Sequence, residues 1–329
     1  MPQLVDTTIR LLSQEPLAGK VPTGEVLRIA EILDRAGFGC LEVSGGGVFD
    51  AAVRRSVESP WERIRALDAR TTTPLSMALR GRFLVGSKPV SGDIVRRFVS
   101  CAAENGIAVF RLHDPLNDVS NLADAAEAIV ASGGACHVGL VYSPGRTGEI
   151  DALVEQAKRV PELGAARVIV NDPTDALLPH LTEELVQRIG EATGLPVGLF
   201  VQGAAGTGLL NAIVATRVGA DLIATAVYPL ALALHRVAGE SLVDALHGRE
   251  VPWPPGPLPD TRERSMPWIP PGPSSDGRPV LDGIPATSST SARSPPPSST
   301  CTASPAATVE ASNSASPSPG SNSVRSRWC

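Results

Sequence analysis

A chain of 329 residues, 43% hydrophobic and carrying a net charge of -5, has enough apolar material to bury a large core in one or two domains. No basic stripe interleaved with aromatics interrupts its acidic balance, which removes the electrostatic footprint of a nucleic-acid binder. The longest apolar stretch, LIATAVYPLALAL at 222–234, is too short to span a bilayer and contains Pro229. With no basic-then-apolar signal pattern at the N-terminus, the chain reads as cytoplasmic, with neither membrane nor nucleic acid as partner. Cys40, Cys101, Cys136, Cys301 and Cys329 lie far apart without a C-x-x-C, so neither a disulfide framework nor a zinc site is indicated.

Eight β-rich runs follow one another along the first 250 residues: LVDTTIR, CLEVSG, PLSMALR, VFRLHD, CHVGLVY, RVIVND, PVGLFVQ and LIATAV. Amphipathic helical stretches separate them. The first, TGEVLRIAEILDRAG at 23–37, repeats Val26, Ile29, Ala30 and Leu33 at helical spacing and ends on Gly37. Eight βα units in about 250 residues predict a (β/α)8 TIM barrel over 1–250; an open doubly wound sheet is the competitor, because periodicity does not show whether a sheet closes. From residue 251 to 329 the composition turns to Pro, Ser, Thr, Ala and Gly. Such a segment buries too little surface to offset its ordering entropy and reads as a disordered, Pro/Ser-rich tail, either a genuine linker or the product of a shifted reading frame.

In a barrel, function sits where the strands end. The run ends offer Arg10 with Gln14 beyond it, Glu42 before SGGGVFD, Arg80 with Arg82, His113 with Asp114, Asn171 with Asp172, and Gln202 before GAAGTG. Arg10 and Arg80 suggest a carboxylate or phosphate site, since guanidinium forks match such groups; alternatively each pairs with Asp6, Glu42 or Asp114. GAAGTG at 203–208 opens a helix, either as a phosphate cradle or simply as a tight turn. His113 beside Asp114 has the makings of an oriented general base, while His137 falls at a strand start away from the mouth, His180 and His247 fall in loop or helix-end positions, and no histidine pair has metal-ligand spacing.

The runs DTTIR with Gln14, LEVSGGGVFDAAVR, SPWERIRAL, TPLSMALRGR, AAENGIAVFRLHDPLNDVSNL and VGADLIATAV resemble the carboxyltransferase domain of pyruvate carboxylase and the related oxaloacetate decarboxylase and transcarboxylase subunits, along residues 4–250. The resemblance implies a soluble barrel that moves a carboxyl group between biotin and pyruvate or oxaloacetate, assembled as a homodimer and served by a biotin carboxylase or biotin carrier partner. It implies a divalent metal held by an aspartate, a carboxylated lysine and two histidines. Those positions here are Leu11, Asn171, Phe200 and Gln202, so the family metal is not expected. Arg10, Gln14 and Arg80 match the family's pyruvate-contacting groups. The family's threonine beyond the barrel has no counterpart, and residues 251–329 contain no lysine on which biotin could be carried; no covalent cofactor is therefore expected, with carboxybiotin on a partner as the carboxyl donor. The chain reads as a divergent member that binds a small keto acid or other carboxylate and runs metal-independent carboxyl-transfer or enolate chemistry. The alternative is an inactive pseudoenzyme serving as scaffold in a biotin-dependent carboxylase.

Overall fold

The computed structural model describes residues 1–14, 16–55, 58–145, 149–202 and 206–247; the expected tail at 251–329 lies outside them, as do 203–205 of GAAGTG. Strands β1 (Gln3–Asp6), β2 (Cys40–Gly45), β3 (Leu75–Leu79), β4 (Ile107–His113), β5 (Ala135–Val141), β6 (Arg167–Asp172), β7 (Val197–Val201) and β8 (Leu222–Thr225) pair in parallel and in sequence order. Closure is settled by β1 against β8, where Gln3, Leu4, Val5 and Asp6 register with Leu222, Ile223, Ala224 and Thr225. The sheet is therefore a closed barrel and not the open competitor.

Strand alternation sorts the side chains into two apolar layers. Leu41, Val43, Met77, Phe110, Leu112, Val138, Val170 and Leu199 face outward and pack beneath the helices. Each large side chain buried this way contributes roughly 1.5–3 kcal/mol. Their neighbours Val5, Cys40, Ile169, Phe200, Leu222 and Ala224 fill the barrel interior. The helix predicted from 23 forms over Thr23–Asp34 and buries Val26, Leu27, Ala30 and Leu33.

The first strand is shorter than its sequence run. Its last residue, Asp6, turns its carboxylate back on the chain and accepts from Thr8 N at 2.9 Å and Thr8 Oγ1 at 2.8 Å. That closed turn stops the strand and starts a short helix, α1 (Thr8–Leu12), so Arg10 stands on a helical turn over the mouth and not at a strand's end. Two further strand-end aspartates behave alike. Asp114 accepts from Leu116 N at 2.8 Å and Asp118 N at 3.1 Å. Asp172, fully buried, accepts from Thr174 N at 3.1 Å, Ala176 N at 3.3 Å and Leu177 N at 2.8 Å. These carboxylates satisfy loop N–H groups that the barrel would otherwise leave orphaned.

Asp172→Ala removes the acceptor from three backbone donors at once and is expected to cost roughly 3 kcal/mol or more in urea denaturation, since each buried unpaired group costs about 1–3 kcal/mol. Asp172→Asn, whose amide oxygen still accepts, is expected to cost clearly less. Equal losses in the two variants would contradict this account of the loop.

Candidate functional site

At the C-terminal mouth the same alternation turns Glu42, Arg111, His113, Asn171, Phe200 and Gln202 inward. Glu42, 1% exposed, is the electrostatic centre. Arg111 grips it with two bonds, Nε to Oε2 at 2.8 Å and Nη2 to Oε1 at 3.1 Å, and Arg10 pairs with the same Oε1. Burial alone would raise the Glu42 carboxyl, but the guanidinium groups of Arg111 and Arg10 outweigh it and hold it down to about 2. Burial likewise lowers Arg10, partly offset by Glu42. Of the acids proposed as partners for Arg10, Glu42 takes the role, because Asp6 and Asp114 are committed to their own loops.

Arg80 makes no ion pair among the described residues. It meets Arg10 and Gln14 around one glycine run. β2 passes directly into α3 (Gly46–Arg55), and Gly45, Gly46 and Gly47 at this junction each lie under one candidate side chain. A Cβ at Gly45 would stand 3.3 Å from Arg10 Nε, at Gly46 2.9 Å from Arg80 Nη2, and at Gly47 3.3 Å from Gln14 Oε1. Close approach of side chains to backbone is what the three glycines permit. The predicted trio of Arg10, Gln14 and Arg80 is thus brought together at the positive end of a ten-residue helix. Gly81, at φ +47 and with Asn121 O only 2.8 Å from where its Cβ would lie, fixes the turn that leads away from Arg80.

The histidine dyad does not form. Asp114 serves its loop, and His113 Nδ1 is buried without a hydrogen-bond partner. Burial, reinforced by Arg111 and Arg10, lowers His113 to about 3, so it faces the mouth as a neutral imidazole. The end of GAAGTG is tied down by Asp175, which accepts from Thr207 N at 3.2 Å and Thr207 Oγ1 at 2.7 Å; its helix (Gly208–Arg217) starts against a carboxylate of the chain's own.

The four positions that the resemblance matches to the family's metal ligands have other contacts. Leu11 packs with Ala226 and Ala231. Asn171 Oδ1 accepts from Arg111 Nη1 at 3.4 Å, Phe200 lies under the Arg111 guanidinium at 4.1 Å, and Gln202 Oε1 accepts from Arg236 Nη1 at 2.9 Å. Two site arginines went unnoticed in the sequence. Arg111 was legible, standing two residues before His113 in one strand and so on the same face. Arg236 was not, because it follows the eighth strand in a segment without periodicity. Among the described residues, seven side chains carry a buried nitrogen or oxygen without a partner. Arg10 Nε, Ser44 Oγ, His113 Nδ1 and Arg236 Nε, four of these, belong to mouth residues, which marks where a ligand's acceptors and donors would be used.

Glu42 stabilises the fold only while ionised. Its contribution is complete above its ordinary value of 4.5 and is lost as pH falls toward its folded value of about 2. Denaturation midpoints from pH 6 to 2 are expected to fall through that window, and Glu42→Gln, which leaves two guanidinium groups uncompensated, is expected to cost roughly 3–5 kcal/mol at neutral pH and to flatten the fall. An unchanged pH profile in the variant would contradict the assignment.

No protein-family model matches the chain. It is 38% identical over 249 residues, 75% of this chain and 44% of the relative, to a pyruvate carboxylase subunit of Methanocaldococcus jannaschii. It is 36% identical over 248 residues, 74% of this chain and 38% of the relative, to the 2-oxoglutarate carboxylase large subunit of Hydrogenobacter thermophilus. The carboxyl transferase domain of Rhizobium etli pyruvate carboxylase, solved with pyruvate and biocytin, superposes with a TM-score of 0.71 at 29% identity, covering 75% of this chain and 43% of that one. The chain spans less than half the length of these curated relatives. Sequence and barrel agree along the same three quarters of the molecule, and the chain belongs, through that barrel, to the carboxyltransferase family of the pyruvate carboxylases.

Proposed function

We propose that the mouth binds a small 2-oxo acid or other carboxylate through the guanidinium groups of Arg10 and Arg80, with the Gln14 amide assisting. The observation that carries this reading is the convergence of those three side chains on Gly45, Gly46 and Gly47, with Arg80 unpaired among the described residues. Solved structures of one relative's carboxyl transferase domain with pyruvate and with oxalate agree with the chemistry of that trio.

Any enolate formed here would be stabilised by fixed guanidinium charge in place of a metal. The donors aligned with the family's metal ligands do not fit a divalent cation. They comprise two amide oxygens already serving Arg111 and Arg236, a phenyl ring covered by Arg111, and a leucine in an apolar cluster. Hard cations require charged oxygen donors, and borderline ones imidazole or thiolate; here two guanidinium groups also stand against the same side chains. A single preorganised donor to a developing oxyanion is worth about 2.7–4 kcal/mol, so Arg10 with Arg80 is a chemically adequate replacement. A carboxylated biotin on a partner protein would supply the carboxyl group. Within the barrel, Arg10 and Arg80 hold the acceptor's carboxylate, while neutral His113 and the Ser44 hydroxyl offer uncharged partners beside it.

Calorimetry on the full chain with oxalate and pyruvate, in the presence of EDTA, tests the reading. Binding is expected to persist in chelator and to weaken about tenfold or more in Arg80→Ala, as loss of a charge-assisted bidentate contact implies. Unchanged binding in Arg80→Ala would remove the carboxylate grip, and binding that vanishes with EDTA and returns with manganese or zinc would remove the metal-free mechanism.

A further inference from the structure

The run SPWERIRAL at 59–67 has no part in the reading above, yet it supplies the mounting of α1. That helix has only five residues and no side-chain cap at its N-terminus, and isolated helices of such length do not persist in water. Its start is pinned by Asp6 and by Thr8 Oγ1, which accepts from Val227 N at 3.0 Å. Its end is pinned by Ser13, 4% exposed. The hydroxyl proton of Ser13 goes to Ile9 O at 2.8 Å, and the same oxygen accepts from Arg63 Nη1 at 2.8 Å. Arg63 stands on α4 (Pro60–Asp68), 50 residues further along the chain.

The other arm of the Arg63 fork is also engaged. Nη2 donates to Thr23 Oγ1 at 3.2 Å, at the start of α2 (Thr23–Asp34), and pairs with Glu58 Oε1. Thr23 Oγ1 in turn donates to Glu58 Oε2. The Arg63 charge is thus answered by Glu58, and one planar guanidinium, its side chain 10% exposed, ties down both ends of the excursion from Ser13 to Thr23. Two of the three anion-site side chains depend on that excursion's first end. Arg10 O accepts from Ser13 N at 3.1 Å, and Gln14 follows Ser13 directly, its carbonyl taken by Leu17 N and Ala18 N, both at 2.9 Å. Resting on the carboxylate reading above, we infer that Arg63 is a positioning residue of the anion site: through the Ser13 hydroxyl it sets how α1 sits, and with it the places of Arg10 over Gly45 and Gln14 over Gly47.

The test measures oxalate binding to the full chain by calorimetry, at a temperature where urea denaturation shows each variant fully folded, so that lost stability and lost affinity are read apart. Ser13→Ala removes the relay while leaving Arg63 with Glu58 and Thr23, and is expected to bind oxalate about tenfold more weakly, the scale of effect that a small misplacement of a positioned group produces. Ser13→Thr keeps the hydroxyl, its added methyl meeting the small cavity that Ser13 lines with Ala18, Val48 and Ala51, and is expected to bind as the unsubstituted protein does. Arg63→Lys keeps a cation for Glu58 but not the planar fork that reaches Ser13 and Thr23 together, and is expected to lose affinity as Ser13→Ala does. Unchanged affinity in either Ser13→Ala or Arg63→Lys, a threonine variant as impaired as the alanine one, or failure of both weakened variants to fold would overturn the positioning role, the last by making Arg63 a residue of stability alone. In each of those outcomes oxalate binding by the unsubstituted protein keeps the carboxylate reading in place. No oxalate binding by the unsubstituted protein would defeat that reading and this inference with it.

Discussion

The mouth of this barrel is organised by one carboxylate. Glu42 lies where barrels of this kind usually carry apolar side chains, and it stays charged there because Arg111 holds it with two bonds and Arg10 with a third. Desolvation consumes much of the Coulomb energy of such a pair, although what remains still holds Glu42 ionised. The effect of the pair is geometric. Arg111, once locked to Glu42, stands 4.1 Å over the Phe200 ring, and Arg10, once drawn toward Glu42, lies over Gly45. The remaining guanidinium groups are distributed around this centre.

The barrel was legible because period-2 alternation and helical spacing recur eight times, and each recurrence reports the same constraint, an apolar layer on either side of the strands. Closure was not, since hydrogen bonding between Gln3–Asp6 and Leu222–Thr225 joins segments that no local pattern connects. Arg10 and Arg80 stood out at their run ends and Gln14 joined them only through the resemblance, but what unites the three is the spacing allowed by Gly45–Gly47, and that appears only in three dimensions. The expected His113–Asp114 dyad failed for a definable reason: an aspartate at a strand's end is more strongly claimed by the donors of its own loop, as Asp6 and Asp172 also illustrate. Arg236 stayed hidden because its place depends on a chain reversal after β8.

The barrel follows the carboxyltransferase pattern, and within it Asn171, Phe200 and Gln202 face guanidinium groups. On the proposed reading, the positive charge of the site is covalently part of the chain, directional and planar, with its position set by side-chain packing.

The aspartates that close the βα turns have a further effect on recognition. Because Asp6, Asp114 and Asp172 bind their own loops, these loops are already folded before anything arrives. On the proposed reading, a small anion entering the mouth forfeits little affinity to freezing these segments, and its residence time follows how well its oxygens match guanidinium forks whose mountings are already in place.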